Sequence, residues 1–384
     1  MAEKRKDKKG RVLKDGESQR SDGSYQFRYY DIHHKRRYVY AKTLDALRHK
    51  EEDVRRDLDD GIDYSAGEVS VSELVDRYMS MKRKIKTNSS RAYSSAVSRI
   101  KSSKFGQKKI RSVKTSDAKA WFVELHDDGL KQNTITVVHS VLRPAFEMAV
   151  EDDILRKNPF KFKLSDLIPD DSQERVPLTK EQQEKYLTFI KGYGNDNYYD
   201  DIVILLGTGL RVSELYGLTK ADVDLKNRCL YVRRQLCRTA ENPYFITTSK
   251  TSSGVRRVPM SESVYQAFFH AIQARPHPQI EMIIDGCSGF IFLDKDEKPK
   301  VAMHLQNYMR CMQKKFEKLY GSCIPHVTPH VLRHTFCTNL QQAGIDVKSL
   351  QYLMGHSNVS VTLDVYTHTD SDFAEQAFRE VMSC

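Results

Sequence analysis

The segment TPHVLRHTFCTNL at residues 328–340 has the spacing of an amphipathic helix. His330 and Arg333 are three residues apart, so they share one helical face. The opposite face is apolar and is expected to be buried; it carries Leu332, Phe336 and Leu340. A histidine paired with an arginine suits an anionic group such as phosphate, whereas capping of the helix is the alternative interpretation.

A second polar pair lies upstream, in the segment GTGLRVSELYGL at residues 207–218. Arg211 and Glu214 are also spaced i,i+3, at the predicted start of a helix, so the carboxylate can orient the guanidinium. A surface ion pair is the alternative, and taken alone it is the better interpretation.

Two further segments contribute single polar side chains. TTSKTSSGVRRVPM at residues 247–260 indicates two strands joined by a Ser/Gly turn, and Lys250 lies at the entry of that turn, where it can reach a bound ligand. LMGHSNVSVTLDVYTH at residues 353–368 has His356 after a glycine turn and Tyr366 ten residues later. Solvated turn lysines are common and the chain has 20 tyrosines, so none of these is diagnostic alone. The complete ordered set Arg, Lys, His-x-x-Arg, His, Tyr is far less likely to occur by chance than any one of its parts.

Periodicity divides the 384 residues into three modules. Two alternating aromatic runs and a helix capped by Thr43 predict a three-stranded sheet backed by one helix. An all-helical module follows, and its first helix has a capping-box pattern at Ser70 and Glu73. The last module predicts a mainly helical α+β domain with a small sheet inserted early. The predicted boundaries are residues 1–66, 67–160, 161–178 (a linker) and 179–384, with a tail helix at 370–384.

The net charge of +11 lies in the N-terminal part of the chain. Residues 82–119 contain 13 basic side chains and one acidic side chain, whereas residues 170–384 contain 25 of each. Such a density favours an anionic partner, although a solvated face is the usual fate of charge runs, and the first module could be a purely structural β-domain. The residues predicted to contact DNA are Arg28, Lys35, Arg36 and Arg37, which are interleaved with aromatic residues, and Lys82, Arg83, Lys84, Lys86, Arg91, Arg99 and Lys101.

Several classes of protein are excluded by composition. The chain has no apolar stretch of about 18 residues, and its charged N-terminus MAEKRKDKKG lacks the apolar run of a secretory signal. The seven cysteines are odd in number and form no CxxC pair. This argues against a disulfide framework or a zinc ribbon and predicts a reducing cytosol.

The ordered polar set resembles the tyrosine recombinase (phage integrase) family over residues 207–368. The three-module layout is similar to that of integrases with an extra N-terminal arm-binding domain. Two segments look specifically like integrases of conjugative transposons: EKRKDKKGRVLKDGESQRSDGSYQFRYYD near the N-terminus and TPHVLRHTFCTNLQQAGIDVKSLQYLMGH from residue 328. The implied fold is a small α+β arm-binding module, an all-α core-binding domain and a mixed, mainly helical catalytic domain.

The resemblance implies roles around the scissile phosphate. Arg211 and Arg333 would bind the non-bridging oxygens, Glu214 would support the first arginine, and His356 would donate a hydrogen bond to the phosphate. Two guanidiniums offer planar paired donors that lysines cannot copy.

The resemblance also implies the covalent chemistry. Tyr366 would attack the phosphodiester and form a 3′-phosphotyrosyl link, Lys250 would protonate the departing 5′-oxygen, and His330 would transfer a proton to or from Tyr366. A phenol with a pKa near 10 needs such a proton acceptor. His334 lies outside the implied set and is expected to be structural.

The implied activity is site-specific recombination that excises and integrates a mobile element through a Holliday junction. No cofactor or metal is expected, because the covalent link stores the energy of the broken bond. The expected partners are double-stranded DNA at core and arm sites, a tetramer of this chain, and accessory excisionase and host DNA-bending proteins. The tail is expected to dock in trans, and docking on its own domain is the alternative. The expected location is the bacterial cytoplasm, with no membrane contact. A type IB topoisomerase and a non-catalytic DNA-binding regulator are the alternatives.

Overall fold

The structure, a computed structural model, divides into two compact units, residues 1–173 and 174–384. No helix among the described residues is both long and apolar enough to cross a membrane. The described residues are 5–31, 34–61, 66–82, 87–172, 176–193, 198–239, 242–248, 254–360 and 362–363.

The first unit opens with an antiparallel sheet of order β1-β2-β3, followed by one helix. The side chain of Thr43 caps that helix by accepting a hydrogen bond from the backbone of Ala46 at 3.3 Å. Tyr25, Phe27 and Tyr29 lie on one face of the sheet and are buried against the helix. The prediction of three strands backed by a helix is confirmed. The elements are β1 (Glu17–Gln19), β2 (Tyr25–Tyr30), β3 (Arg36–Ala41) and α1 (Leu44–Asp59).

The rest of the first unit is helical, as predicted. Ser70 and Glu73 form the expected capping box at the start of its first helix. Phe122, Phe146 and Phe160 are fully buried in its core, and each such side chain stabilises the fold by roughly 2–3 kcal/mol. The helices are α2 (Val71–Met81), α3 (Thr87–Ser102), α4 (Thr115–Asp127) and α5 (Gln132–Glu151).

The predicted linker, residues 161–178, is too long at both ends. Leu164 and Ile168 are buried in the helical core of the first unit, and Asp171 accepts a hydrogen bond from the first residue of α5 at 3.0 Å. Leu178 is buried in the core of the second unit. The apolar side chains at 164 and 168 anchor the chain to the helical core, and the proline-containing composition did not reveal this.

The second unit is mainly helical, with two small antiparallel sheets in place of the single predicted sheet. Thr179 and Gln182 exchange the hydrogen bonds of the expected capping box before its first helix. The helices are α6 (Lys180–Tyr193), α7 (Tyr199–Thr208), α8 (Val212–Tyr216), α9 (Glu262–Gln273), α10 (Ala302–Tyr320), α11 (Pro329–Gln342) and α12 (Val347–Met354). The strands are β4 (Val223–Asp224), β5 (Cys229–Val232), β6 (Arg234–Cys237), β7 (Phe245–Thr248) and β8 (Arg256–Pro259).

Strands that pair in this unit are not always consecutive in the sequence. One sheet has the order β4-β5-β8, and β6 pairs with β7 in the other. The segment that contains Lys250 therefore connects strands of different sheets. Helix α7 packs against both α9 and α11, which brings the ends of several elements together near the turn after α7.

Candidate functional site

The site begins at the turn between α7 and α8. Gly209 ends α7 in the left-handed conformation, with φ of +62°, and a Cβ there would lie 2.3 Å from the ring of Phe336. This turn presents Arg211, whose backbone N–H donates to Glu214 Oε2 and whose Nη1 donates to Oε1, each at 2.8 Å. The carboxylate therefore orients the guanidinium, as the i,i+3 spacing predicted. The Arg211 side chain stays 34% exposed, so it can reach a ligand.

Arg333 reaches the same place from α11. Its Nη1 donates to the carbonyl of Gly209 and its Nη2 to the carbonyl of Met354, both at 2.5 Å. Burial, and then the neighbouring charge of Arg211, lower the pKa of Arg333 to about 9, so the guanidinium is still charged at neutral pH. Among the described residues, no carboxylate forms an ion pair with it. Its charge is available to an anionic ligand.

Arg256, at the start of β8, is a member of this cluster that the sequence analysis missed. Its side chain is fully buried and pairs with Glu214, with Nη2 2.9 Å from Oε2 and Nη1 3.2 Å from Oε1. Strand alternation could have indicated it, because Arg256 and Val258 are both buried and the intervening Arg257 is exposed.

His356 follows the glycine that ends α12. Its Nδ1 lies 3.0 Å from the hydroxyl of the buried Thr362, which orients the ring. Burial, followed by the charges of Arg333 and Arg211, lowers the pKa of His356 to about 4. The imidazole is therefore neutral at physiological pH, and its second nitrogen has no hydrogen-bond partner in the described part of the chain.

The remaining histidines of α11 differ in their surroundings. His330 is exposed, one turn before Arg333 on the same helical face. His334 is half-buried, and its Nδ1 lies 3.3 Å from the hydroxyl of Thr338 within the helix. This agrees with a structural role for His334.

Several predicted residues lie outside the described part of the chain. Among the catalytic residues these are Lys250, between β7 and β8, and Tyr366, three residues beyond the last described residue. The others are Arg83, Lys84 and Lys86 and the predicted tail helix at 370–384. The structure thus brings together Arg211, Glu214, Arg333 and His356 of the predicted set.

A second surface lies on the open face of the N-terminal sheet. The register of β2 and β3 pairs Arg28 with Tyr38 and Tyr30 with Arg36, and all four side chains are exposed. Basic and aromatic groups therefore alternate across the strands. The turn residue Lys35 is also exposed next to this face.

Arg37, which the sequence predicts to contact DNA, belongs to the other face of the sheet. It is paired in register with the buried Tyr29, so its Cβ lies on the helix side of the sheet. Its Nε donates to the buried carboxylate of Asp31 at 2.9 Å. The open face also carries Tyr40, whose ring lies 5.2 Å from the Arg20 guanidinium, and neither residue is among those that the sequence predicts to contact DNA.

In the structure, acidic side chains neutralise some of the basic residues of the segment 82–119 in the helical module. Lys101 pairs with Asp76 at 2.8 Å, and Lys108 pairs with Asp117 at 3.1 Å. The charge count of the segment alone therefore overestimates the repulsion among its basic side chains, because an acidic residue outside the segment neutralises one of them. Lys82 lies 4.3 Å from the ring centroid of Tyr93.

A groove of about 230 Å³ runs between α3 and α5. Arg99 and small side chains of α3 line one wall, with Asn133 and Thr134 on the other. Arg91 is exposed on the same helix. Small side chains next to arginines allow close approach of an extended polar ligand.

Known proteins resemble the chain over nearly its whole length. The phage integrase family model matches residues 177–372, and the model of the DNA binding domain of tn916 integrase matches residues 1–58. The transposase from transposon Tn916 of Enterococcus faecalis is 40% identical over 390 residues, which cover 97% of this chain and 96% of that protein. The transposase from transposon Tn1545 of Streptococcus pneumoniae has the same identity and coverage.

Solved structures resemble it as well. The Tn1549 transposon integrase in complex with transposon right end DNA matches with a TM-score of 0.77 and 41% identity, covering 82% of this chain and 100% of that chain. A lambda integrase tetramer bound to a Holliday junction matches with a TM-score of 0.58 and 18% identity, covering 94% and 99%. The second likeness concerns the fold alone.

Proposed function

This chain belongs to the phage integrase family of tyrosine recombinases, and on that premise we propose that it excises and integrates a conjugative transposon by site-specific recombination. Its fold is that of a tyrosine recombinase, with an N-terminal DNA-binding domain and a catalytic domain. The observation that carries the proposal is the convergence of two arginines and a neutral histidine, from α11 and the turns after α7 and α12, at the end of α12.

In the proposed reaction, the Tyr366 oxygen attacks the scissile phosphorus. The bond to the 5′-oxygen breaks and a 3′-phosphotyrosyl ester forms, while His330 accepts the phenolic proton and Lys250 protonates the departing 5′-oxygen, which leaves as a hydroxyl. Attack by a 5′-hydroxyl of the partner strand reverses these steps and releases Tyr366. The number of phosphoester bonds is conserved, so strand exchange needs no external energy source.

The charges at the site match the needs of this transition state. Negative charge grows on the non-bridging oxygens, and Glu214 and the carbonyl of Gly209 hold the guanidiniums of Arg211 and Arg333 close together at the end of α12. A neutral His356 can donate a hydrogen bond to the phosphate without adding a third cation. His330, exposed on the face shared with Arg333, is suited to proton exchange with the nucleophile.

The modules would divide the work of binding DNA. We propose that residues 1–66 bind arm sites through the open sheet face, and that residues 67–160 with the catalytic domain at 179–384 clamp the core site. The integrases of similar sequence whose structures are solved were bound to transposon right end DNA or circular intermediate DNA. We further propose a tetramer on DNA, joined by the 370–384 tail, which excisionase and a host bending protein assist in the bacterial cytoplasm.

Recombination on defined DNA tests the function. Purified protein should convert a circular DNA that carries the joined ends of its own element, together with a target duplex, into integrated product. A supercoiled plasmid without those ends should remain supercoiled. Efficient relaxation of that plasmid would instead favour the topoisomerase alternative, and failure to cleave the joined ends would favour the regulator.

Removal of one cation from the open sheet face should weaken arm binding. Arg28→Ala is expected to reduce affinity for duplexes from the element ends about 5- to 10-fold, because Arg28 is exposed beside Tyr38 at the centre of this face. Titrations by fluorescence anisotropy at fixed salt measure this. The control is Arg56→Ala, which removes an exposed cation from α1, where it pairs with Asp53, and equal weakening by both variants would contradict the assignment.

The helical module should bind DNA mainly through phosphates. If it contacts about six phosphates, the logarithm of the binding constant for the core site should fall with the logarithm of salt concentration at a slope of about −5. Arg91→Ala should reduce the magnitude of this slope by about 1, whereas Lys101→Ala should change it less, because Asp76 already neutralises Lys101. A nearly flat salt dependence of the wild-type protein would refute the interpretation.

A further inference from the structure

We propose that Arg256 is a positioning residue of the recombination reaction, which holds the first catalytic arginine and the histidine turn in one rigid frame. The inference rests on the proposed function and deepens it, since Arg256 itself is buried and acts through Glu214 and the end of α12.

The carboxylate of Glu214 is shared between two arginines. Its Oε1 accepts from Arg211 Nη1 at 2.8 Å and from Arg256 Nη1 at 3.2 Å. Its Oε2 accepts from the backbone N–H of Arg211 at 2.8 Å and from Arg256 Nη2 at 2.9 Å. Glu214 orients Arg211, and Arg256 in turn holds Glu214. The orientation of Arg211 therefore depends on Arg256.

The three arginines also bind three consecutive carbonyl groups at the end of α12. Arg256 Nε donates to the Leu353 oxygen at 2.7 Å and Arg333 Nη2 to the Met354 oxygen at 2.5 Å. Arg211 Nη2 lies at the longer distance of 3.5 Å from the Gly355 oxygen. These carbonyls lack partners within the helix and form the negative end of its dipole, so cations stabilise them. His356 is the next residue, and its placement depends on this contact.

Close packing makes the Arg256 contact specific to its guanidinium. A Cβ added to Gly355, whose φ is +62°, would lie 2.8 Å from Arg256 Nη1. The planar group thus fits against the turn while it donates to Glu214 and Leu353 together. A lysine has one nitrogen and cannot make both contacts in this geometry.

The pH dependence of cleavage distinguishes a positioning role of Arg256 from a general loss of stability. Burial acts to raise the pKa of Glu214, but hydrogen bonds and charge from Arg256 and charge from Arg211 outweigh it and hold the pKa below its ordinary value. Among the described residues, the charges of Arg333 and His356 also couple to Glu214. Without the Arg256 guanidinium the carboxyl takes up a proton at higher pH, and Arg211 then loses its acceptor. The acid limb of the rate profile should therefore move to higher pH.

The experiment measures single-turnover formation of the covalent adduct on a nicked duplex spanning the joined ends of the element, from about pH 4 to pH 9, so that the range includes the ordinary pKa of a glutamate. Arg256→Lys should cleave about 100-fold more slowly at pH 7 than the wild-type chain, because a displaced catalytic group of this kind costs about that factor. Its affinity for the duplex should stay within about threefold, and its acid limb should lie at higher pH than that of the wild type. The matched control is Arg257→Lys, the exposed neighbour on the same strand, which should match the wild type in rate and profile.

Wild-type rate and pH profile in a folded Arg256→Lys protein would overturn the proposal. If that variant fails to fold, the double variant Arg256→Met with Glu214→Gln removes both buried charges and avoids leaving one unpaired. A folded double variant should bind the duplex and cleave it at least about 100-fold more slowly, and wild-type cleavage by it would equally overturn the proposal. Absence of any adduct with the wild-type chain would instead count against the proposed function.

Discussion

Replacement of Tyr366 by phenylalanine should abolish the covalent protein–DNA adduct. On a suicide duplex nicked near the crossover, the wild-type chain is expected to trap a 3′-phosphotyrosyl species that migrates as a DNA-linked band under denaturing conditions. The rate for Tyr366→Phe should fall at least about 10,000-fold, because the variant retains the phosphate-binding cations but has no oxygen to attack phosphorus. Binding to the same duplex should be unchanged, since the phenyl ring keeps the shape of the side chain.

Tyr352→Phe is the matched control for this substitution. Tyr352 lies on α12, is 50% exposed, and is a tyrosine close in sequence to the proposed nucleophile. Its variant should form the adduct at close to the wild-type rate. An adduct that persists in Tyr366→Phe, or one that disappears only in Tyr352→Phe, would show that the nucleophile is assigned to the wrong residue. Mass spectrometry of the trapped peptide identifies the linked tyrosine directly.

Replacement of Arg333 by lysine is expected to slow cleavage about 100- to 1,000-fold with little loss of DNA affinity. The guanidinium spans the carbonyls of Gly209 and Met354 through different nitrogens, so it joins the end of α7 to the end of α12. A lysine keeps a positive charge but cannot bridge these carbonyls and still present paired donors to a phosphate. Burial also lowers the pKa of a lysine, which weakens the charge that remains.

The measurement is again single-turnover adduct formation, combined with thermal unfolding to separate lost chemistry from lost stability. Arg310→Lys is the control, because it makes the same substitution at an exposed position of α10 that bonds only to the side chain of Asn307 among the described residues. Cleavage by Arg333→Lys within about threefold of the wild type would be incompatible with a direct role for Arg333 at the phosphate.

Local sequence patterns correctly predicted contacts between residues that are close along the chain. The i,i+3 spacing correctly predicted that Glu214 orients Arg211, and the capping patterns at Ser70 and Thr179 correctly located helix starts. Such contacts depend on a few backbone dihedral angles, which the residues of one turn determine.

Contacts between distant segments were beyond the reach of those patterns. Arg256 was missed because its partners, Glu214 and Leu353, lie 42 and 97 residues away in the chain. The sequence groups Arg37 with its basic neighbours as a DNA contact, and only strand register shows that its side chain donates to Asp31 on the other face of the sheet. The sequence predicts one sheet where the structure has two small ones. Which strands pair depends on how distant segments pack together, and the sequences of the individual strands do not specify this.

The amino-acid sequence by itself determined the family, the order of the modules and the identity of the proposed catalytic residues, because these depend on residue type and spacing. Only the tertiary structure decided that three arginines surround the end of α12 and that Glu214 serves two of them. It also decided that His356 is neutral, since its pKa of about 4 arises from burial and from cations contributed by remote segments. Desolvation and charge interactions depend on distances in space, which the spacing of residues along the chain does not contain.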